Sequence, residues 1–199
     1  MARKKRTAEA TQLIAVPKPA EPIKLDLGCG KFKQAGYIGV DRRPGEGVDV
    51  VADLTKPWMW ATSSVDELRC SHMIEHLTPK ERVHFVNEAY RVLKPKGTFM
   101  IVTPHWASPR AYGDLTHVWP PVSEFWFAYL NASWRKDQVP YAEDGELAYT
   151  CDFESNPPGY TVRPDIQLRN HEYQVFALAN YKDAAQDMMV ILVAKKETA

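Results

Sequence analysis

The sequence predicts an α/β chain built on a doubly wound, mostly parallel sheet with helices on both faces. Three observations carry that expectation. The apolar run Leu25-Asp26-Leu27 passes directly into Gly28-Cys29-Gly30, as a buried strand does on entering a tight turn. A second run, Tyr37-Ile38-Gly39-Val40, stops on Asp41, eleven residues past Gly30. Further along, strand-like runs alternate with a helical pattern, which is the signature of a parallel sheet with crossover helices.

Glycine has no Cβ and lets the backbone close on a ligand, and an acid ending the following strand can accept from both hydroxyls of a ribose. Together they point to a nucleoside. A dinucleotide site needs a third glycine and a helix whose N-terminus meets a pyrophosphate. Here Lys33 holds that third position, and only Lys31 to Gly36 separate Gly30 from the next run. Gly30-Lys31-Phe32 also fails as a phosphate loop, which needs Ser or Thr after the lysine. The expected ligand is a nucleoside without a phosphate chain.

The next element is a helix. Thr78-Pro79-Lys80-Glu81 offers a capping residue, a proline in the first turn and an acid at the third position. Val83, Val86, Ala89, Tyr90 and Leu93 then keep helical spacing. Lys94-Pro95-Lys96-Gly97 ends the helix, and Thr98 to Thr103 reads as a buried strand.

In order along the chain, these segments resemble the class I S-adenosylmethionine-dependent methyltransferases. Asp26-Leu27-Gly28-Cys29-Gly30 is similar to their first motif, and Asp41 to their ribose-binding acid. Val50 to Leu54 resembles the segment in which an acid, here Asp53, meets the adenine amino group and the next backbone N–H, here Leu54, meets the ring. Ser64 to His72 is similar to their fourth strand, with Glu75-His76-Leu77 after it, and Glu88 to Val102 to the helix, turn and fifth strand. The resemblance implies S-adenosylmethionine as cofactor and S-adenosylhomocysteine as product. It places Asp26, Gly28, Gly30, Asp41, Asp53, Leu54 and Ser71 at the cofactor site. It also implies a seven-stranded, Rossmann-like sheet whose last strand is antiparallel, with Glu172 to Asn180 and Met188 to Ala194 as the final strands. The chain departs from the family pattern at Phe32, which replaces the third motif glycine, and in a first helix shortened to a loop.

At 199 residues one domain is expected. Residues 1–22, with Arg3-Lys4-Lys5-Arg6 and Pro17, Pro19 and Pro22, read as a flexible basic leader, and 23–199 as the methyltransferase-like domain. Residues 104–170 form an insertion after the fifth strand, at the edge where open α/β sheets bind ligands, and are the expected substrate cover. Trp106, Trp119, Phe125, Trp126, Phe127, Tyr129 and Trp134 crowd this stretch. They make either an aromatic wall or a satellite core in which Ser123 caps a helix from Glu124 to Asn131.

Methyl transfer from a sulfonium needs a base only where the acceptor must lose a proton, and histidine suits that role. Gly113-Asp114-Leu115-Thr116-His117 resembles the Asp-Pro-Thr-His of many small methyltransferases, which nominates His117, with Asp114 holding its imidazole or capping a turn. His105 and His72, at strand ends, are further candidates. His72-Met73-Ile74-Glu75-His76 resembles a metal-associated segment of quinone-precursor O-methyltransferases, but His72 replaces its first acid and an oxygen-preferring cation loses a carboxylate. No metal is expected, and Glu75 and His76 are assigned to pinning the loop. Asn156-Pro157-Pro158-Gly159 is read as a proline turn.

Lys and Arg number 25, as do Asp and Glu; with the basic leader set aside, the body offers little attraction for a nucleic acid backbone. A small-molecule or sugar-like hydroxyl acceptor is therefore expected, with nucleic acid contacted through the N-terminal basic tail as the alternative and a non-catalytic cofactor-binding module as a second. Three cysteines suit reduced, buried thiols. No apolar stretch reaches the ~20 residues of a membrane span, so a cytoplasmic protein with no membrane partner is expected.

Overall fold

The computed structural model describes residues 21–197; the basic leader through residue 20 lies outside the described residues. Eight strands are present: β1 (Lys24–Leu27), β2 (Ile38–Asp41), β3 (Val50–Val51), β4 (Val65–Ser71), β5 (Leu93–Pro104), β6 (Phe153–Ser155), β7 (Gly159–Val162) and β8 (Ala185–Ala194). Six helices accompany them: α1 (Pro79–Val92), α2 (Arg110–Gly113), α3 (Glu124–Ala128), α4 (Ala132–Gln138), α5 (Pro164–Gln167) and α6 (His171–Asn180), with single 3₁₀ turns at Ile74–His76 and Pro140–Glu143.

The sheet runs β3-β2-β1-β4-β5-β8-β6, with β7 also beside β8. The first five strands are parallel, and β8 is antiparallel to β5. β6 pairs with the far end of β8 and β7 with its near end, both antiparallel and both opposite β5. They share one strand position, interrupted at Asn156-Pro157-Pro158, where proline has no N–H to give the ladder. The sheet thus has the seven expected positions, and the proline segment is a strand break rather than a free turn.

Three expectations change here. Phe153 to Val162 belong to the sheet, so the insertion spanning 104–170 is interrupted by a structural strand. Glu172 to Asn180 is α6, not a strand: Asn170 accepts from Tyr173 N at 2.9 Å and caps it, and a capped start outweighs an apolar composition that fits either element. Ser123 makes no side-chain cap, and the helix it precedes stops at Ala128. Asn131 caps a second helix, α4, through Trp134 N at 2.9 Å.

Helix α1 begins as the sequence dictates. Thr78 Oγ1 accepts from Glu81 N at 3.3 Å, and Glu81 Oε2 accepts from Thr78 N at 2.8 Å. Phe85, Val86, Ala89 and Val92 then lie on its buried face. They belong to one core with Leu25, Leu27, Leu68, Cys70, Phe99, Ile101, Val190 and Leu192. On β5 and β8 these core residues stand directly opposite each other, Phe99 with Leu192 and Ile101 with Val190. The other sheet face, bearing Arg69, Met100 and Ile191, is half-buried among the described residues. Lys94-Pro95-Lys96-Gly97 does not end α1; the helix stops at Val92, and the segment is an irregularity inside β5, where the pairing with β4 shifts register.

Phe85 joins helix to sheet, its ring centroid 5.2 Å from Trp58 and 6.0 Å from Phe99. Phe85→Ala should lower the unfolding free energy by about 3–5 kcal/mol in urea titrations. A loss below about 1 kcal/mol would be typical of a surface change and would displace α1 from the core.

Candidate active site

The chain leaves β1 for β2 and β3 on one side and returns to β4 on the other, so the switch point lies between β1 and β4. Ligands of open α/β sheets bind at the carboxyl ends of strands at such a point. A cleft of about 570 Å³ opens there. Gly28 and Gly30 from the turn after β1, Asp41 at the end of β2, and Asp53 and Leu54 after β3 line it, and beyond β4 it is closed by His72, Met73, His76 and Leu77.

Gly28 has φ +70°, and a Cβ on it would stand 2.4 Å from Met73 Cγ. Only glycine fits, because the turn is both left-handed and pressed by the loop after β4. Gly30 has φ +48°, and its N–H donates to Asp41 Oδ2 at 3.0 Å. The other carboxylate oxygen accepts from Arg43 N at 3.0 Å. Asp41 therefore joins the glycine turn to the next loop while facing the cleft. Asp53 Oδ1 accepts from the Thr55 hydroxyl at 2.7 Å and from its N–H at 3.0 Å, and these bonds hold its pKa below the ordinary carboxylate value.

Two expected cofactor residues do not face the cleft. Asp26 is fully buried: Oδ2 accepts from Gln34 N at 2.7 Å, and Oδ1 pairs with Arg69 Nη1 at 2.8 Å. It fixes the short loop that replaces a first helix, acting on the site through that loop. Ser71 ends β4 and lies outside the lining, which passes instead to His72. His72 has φ +52°, an uncommon backbone state for a side-chain-bearing residue that tends to mark functional positions.

The side of the cleft beyond β4 is assembled from two distant segments. Arg82, 5% exposed, donates through Nε to Ile74 O and through its terminal nitrogens to the carbonyls of Glu75, Val118 and Pro120. Val118 N donates to Glu75 O at 2.9 Å. This clamp brings Thr116 and His117 to Glu75 and His76, with the two imidazole rings edge to face at 4.8 Å between centroids. Thr116 is the one residue of 104–170 in the cleft lining. Nothing in its spacing reveals this, whereas Arg82 had a visible signal: an arginine three residues before Phe85 on the apolar stripe of a helix.

The candidate bases fare differently. Asp114 caps a turn, its Oδ1 accepting from Thr116 N at 2.8 Å and Thr116 Oγ1 at 2.7 Å, and its Oδ2 stands 3.9 Å from His117 Nε2, beyond hydrogen-bond reach. His117 Nδ1 lies 3.2 Å from Ala111 O, so Nδ1 carries the proton. His105 is buried and away from the cleft lining. Its Nδ1 accepts from Ala107 N at 3.2 Å, and its Nε2 donates to Glu124 Oε1 at 2.7 Å, leaving no lone pair to act as a base. The same carboxylate takes Trp106 Nε1 at 2.9 Å and Tyr160 Oη at 3.1 Å. Partial burial opposes ionisation of Glu124, but the His105 bond and its other donors outweigh that and hold its pKa at about 2. The crowded aromatics make no wall for this cleft: Trp119 and Phe125 are mainly exposed, and Phe127 belongs to the core.

Residues 35–101 match the family model described as a methyltransferase domain, a stretch running from before β2 into β5. The same topology recurs in solved structures. The chain has the class I S-adenosylmethionine-dependent methyltransferase fold. A methyltransferase of this kind from Archaeoglobus fulgidus is 19% identical, with a TM-score of 0.56 and 86% of each chain covered. One from Methanosarcina mazei is 17% identical, with a TM-score of 0.54 and coverage of 87% of this chain and 92% of that one. The 1,6-didemethyltoxoflavin-N1-methyltransferase of Burkholderia thailandensis, solved with S-adenosylhomocysteine, is 13% identical, with a TM-score of 0.54 and coverage of 88% and 72%. At these identities the likeness is one of fold. No curated protein matches the chain.

Two outcomes test the geometry of this methyltransferase fold. Gly28→Ala should cost more than about 1 kcal/mol of stability, read by thermal or urea unfolding, and Met73→Ala in the same chain should recover only a fraction of it, because Met73 Cβ, 2.8 Å from the added methyl, remains in place and the left-handed backbone is unchanged. Glu124 has a folded-state pKa of about 2 against an ordinary 4.5, so its stabilisation is complete above pH 4.5 and fades as pH falls toward 2. Wild type should exceed Glu124→Gln in stability at pH 6, with the gap closing below pH 4.5; a gap independent of pH would contradict the pairing.

Proposed function

We propose that this chain transfers a methyl group from S-adenosylmethionine to a small, polar acceptor bound between the cleft and the loop after β4. The observation that carries the reading is Asp41, whose carboxylate stands on the cleft beside the left-handed Gly28 and Gly30. Glycines that leave room for a ligand next to an acid placed for ribose hydroxyls are what an adenosyl group requires. A volume near 570 Å³ lies within the range of small-molecule sites. Leu54, with Val48 and Ala52, gives the flat apolar lining an adenine ring needs, and the adjacent Asp53 supplies an acceptor for its amino group.

When bound, S-adenosylmethionine supplies an electrophilic methyl carried on sulfur; the acceptor's lone pair forms the new bond, and the sulfur keeps the electron pair of the old one. This chain's residues hold the reactants in line, which supplies much of the acceleration for such a displacement. His72, His76 and Thr116 present polar groups at the acceptor end. A small acceptor is favoured because the chain's charges balance at 25 and 25, giving no broad attraction for a polyanion. Among the described residues no helix is long and apolar enough to cross a membrane.

Calorimetry on the full chain tests the reading. Both S-adenosylmethionine and S-adenosylhomocysteine should bind at one per chain. Asp41→Ala should weaken both by about ten- to a hundredfold, the worth of a hydrogen bond to a charged group. Silence with both ligands, or undiminished binding by the alanine variant, would refute the assignment.

A further inference from the structure

We propose that Glu75, His76 and His117 form a binding site for a divalent transition-metal ion of the zinc class. One ligand atom from each lies within 4.8 Å of the others. Metal–ligand bonds of about 2.1 Å place tetrahedral ligand atoms about 3.4 Å apart, so each group moves inward by less than about 1 Å to close on an ion.

The protonation pattern suits ligation. Thr116 Oγ1 gives its hydrogen to Asp114 Oδ1 at 2.7 Å and must accept from His76 Nδ1 at 3.0 Å. Nδ1 of His76 therefore carries a proton, with Thr116 O a longer neighbour at 3.4 Å. His117 Nδ1 donates to Ala111 O. Both rings thus keep their Nε2 lone pairs, and an imidazole whose other N–H is held by the protein is the usual arrangement of a metal-bound histidine.

The third group is independently unusual. Glu75 has a side chain only 5% exposed; Oε2 accepts from Thr103 Oγ1 at 3.2 Å, while Oε1 has no hydrogen-bond partner. His72 Nδ1 stands 3.4 Å from Oε1, a long contact that raises the His72 pKa and makes an ion pair only when that half-exposed imidazole is protonated. A buried carboxylate oxygen with no hydrogen bond, and only a neutral imidazole near it above the His72 pKa, costs free energy that a cation would recover. Two imidazoles and one carboxylate suit zinc-class ions rather than oxygen-preferring Mg²⁺ or Ca²⁺. Arg82 ties the backbones of both contributing segments, so the set is assembled without an ion. His76 is exposed on the cleft, which gives an ion its route in.

Zinc titration of the chelator-treated full chain against a chromophoric competitor is the test. Wild type should take up one Zn²⁺, and with Co²⁺ it should show the visible bands of a four- or five-coordinate complex. His76→Ala and His117→Asn should each weaken Zn²⁺ binding at least about tenfold and erase those bands, whereas His171→Gln, on the exposed start of α6, should match wild type. The His76 variant alters an exposed side chain, so it reports even if changes at Glu75 or His117 disturb folding. No stoichiometric uptake by wild type, or full affinity in both histidine variants, would overturn the site and leave only a stacked histidine pair. Affinity for S-adenosylhomocysteine, measured on the same samples, separates this result from the cofactor assignment: a chain that binds the thioether and ignores Zn²⁺ loses the metal site alone.

Discussion

The fully buried carboxylate of Asp26 constrains the cofactor side of the molecule. A charge on a central strand, out of reach of water, is tolerable only if paired and hydrogen-bonded. Arg69 on the adjacent strand meets one oxygen and Gln34 N the other. The second bond makes the ten-residue connection between β1 and β2, Gly28 to Tyr37, adopt one shape where the fold would otherwise use a helix. Breaking such a pair from one side typically costs about 3–5 kcal/mol, far more than a surface ion pair. With that loop fixed, the glycine turn is held between Asp41 on one side and Met73 on the other. The acid that begins the first motif thus works from beneath the site, through backbone, rather than on the ligand.

The acceptor side obeys a different constraint. Arg82 is buried with no carboxylate bonded to its guanidinium, which instead donates to four carbonyl oxygens. Burial lowers its pKa, an effect the nearby Glu75 partly offsets. Those four carbonyls come from two segments more than forty residues apart in sequence, and no strand pairing joins them. The arginine does the work that hydrogen bonds between strands do elsewhere in the fold, and it holds rigid a region otherwise made of turns. A preorganised loop loses less on binding than one that must be ordered by its ligand.

The cofactor half was legible because its signals are local. A glycine that must be left-handed, an acid ending a strand and a capping box each announce themselves within a few residues, and all three stand where the sequence places them. Asp26 and Ser71 show the limit: they stand on β1 and at the end of β4, but which way such a side chain points depends on its neighbours across the sheet. Glu172 to Asn180 was misread because a short apolar run fits a strand or a helix equally, and the deciding residue, Asn170, lies outside the run. The split sixth strand was hidden for a related reason, since two short pieces flanking a pair of prolines look like a loop until β8 is there to pair with them.

The insertion was least legible, and the cause is physical. Its aromatic residues suggested a pocket wall, yet an aromatic side chain reports only that it gains by burial, not against what. Most of these rings pack on one another or on the main core, and Glu124 gathers His105, Trp106 and Tyr160 into a polar knot instead. The contribution to the cleft is a single threonine, delivered by backbone contacts to Arg82. Local turn chemistry in the cofactor half and long-range polar clamping in the acceptor half therefore divide the site cleanly. A substitution near Gly28 or Asp41 acts on the glycine turn to which the proposed function assigns the cofactor. One near Arg82 or Thr116 reshapes the far wall of the cleft, which on the proposed reading is the wall an acceptor meets, so that wall is set by contacts that no short motif encodes.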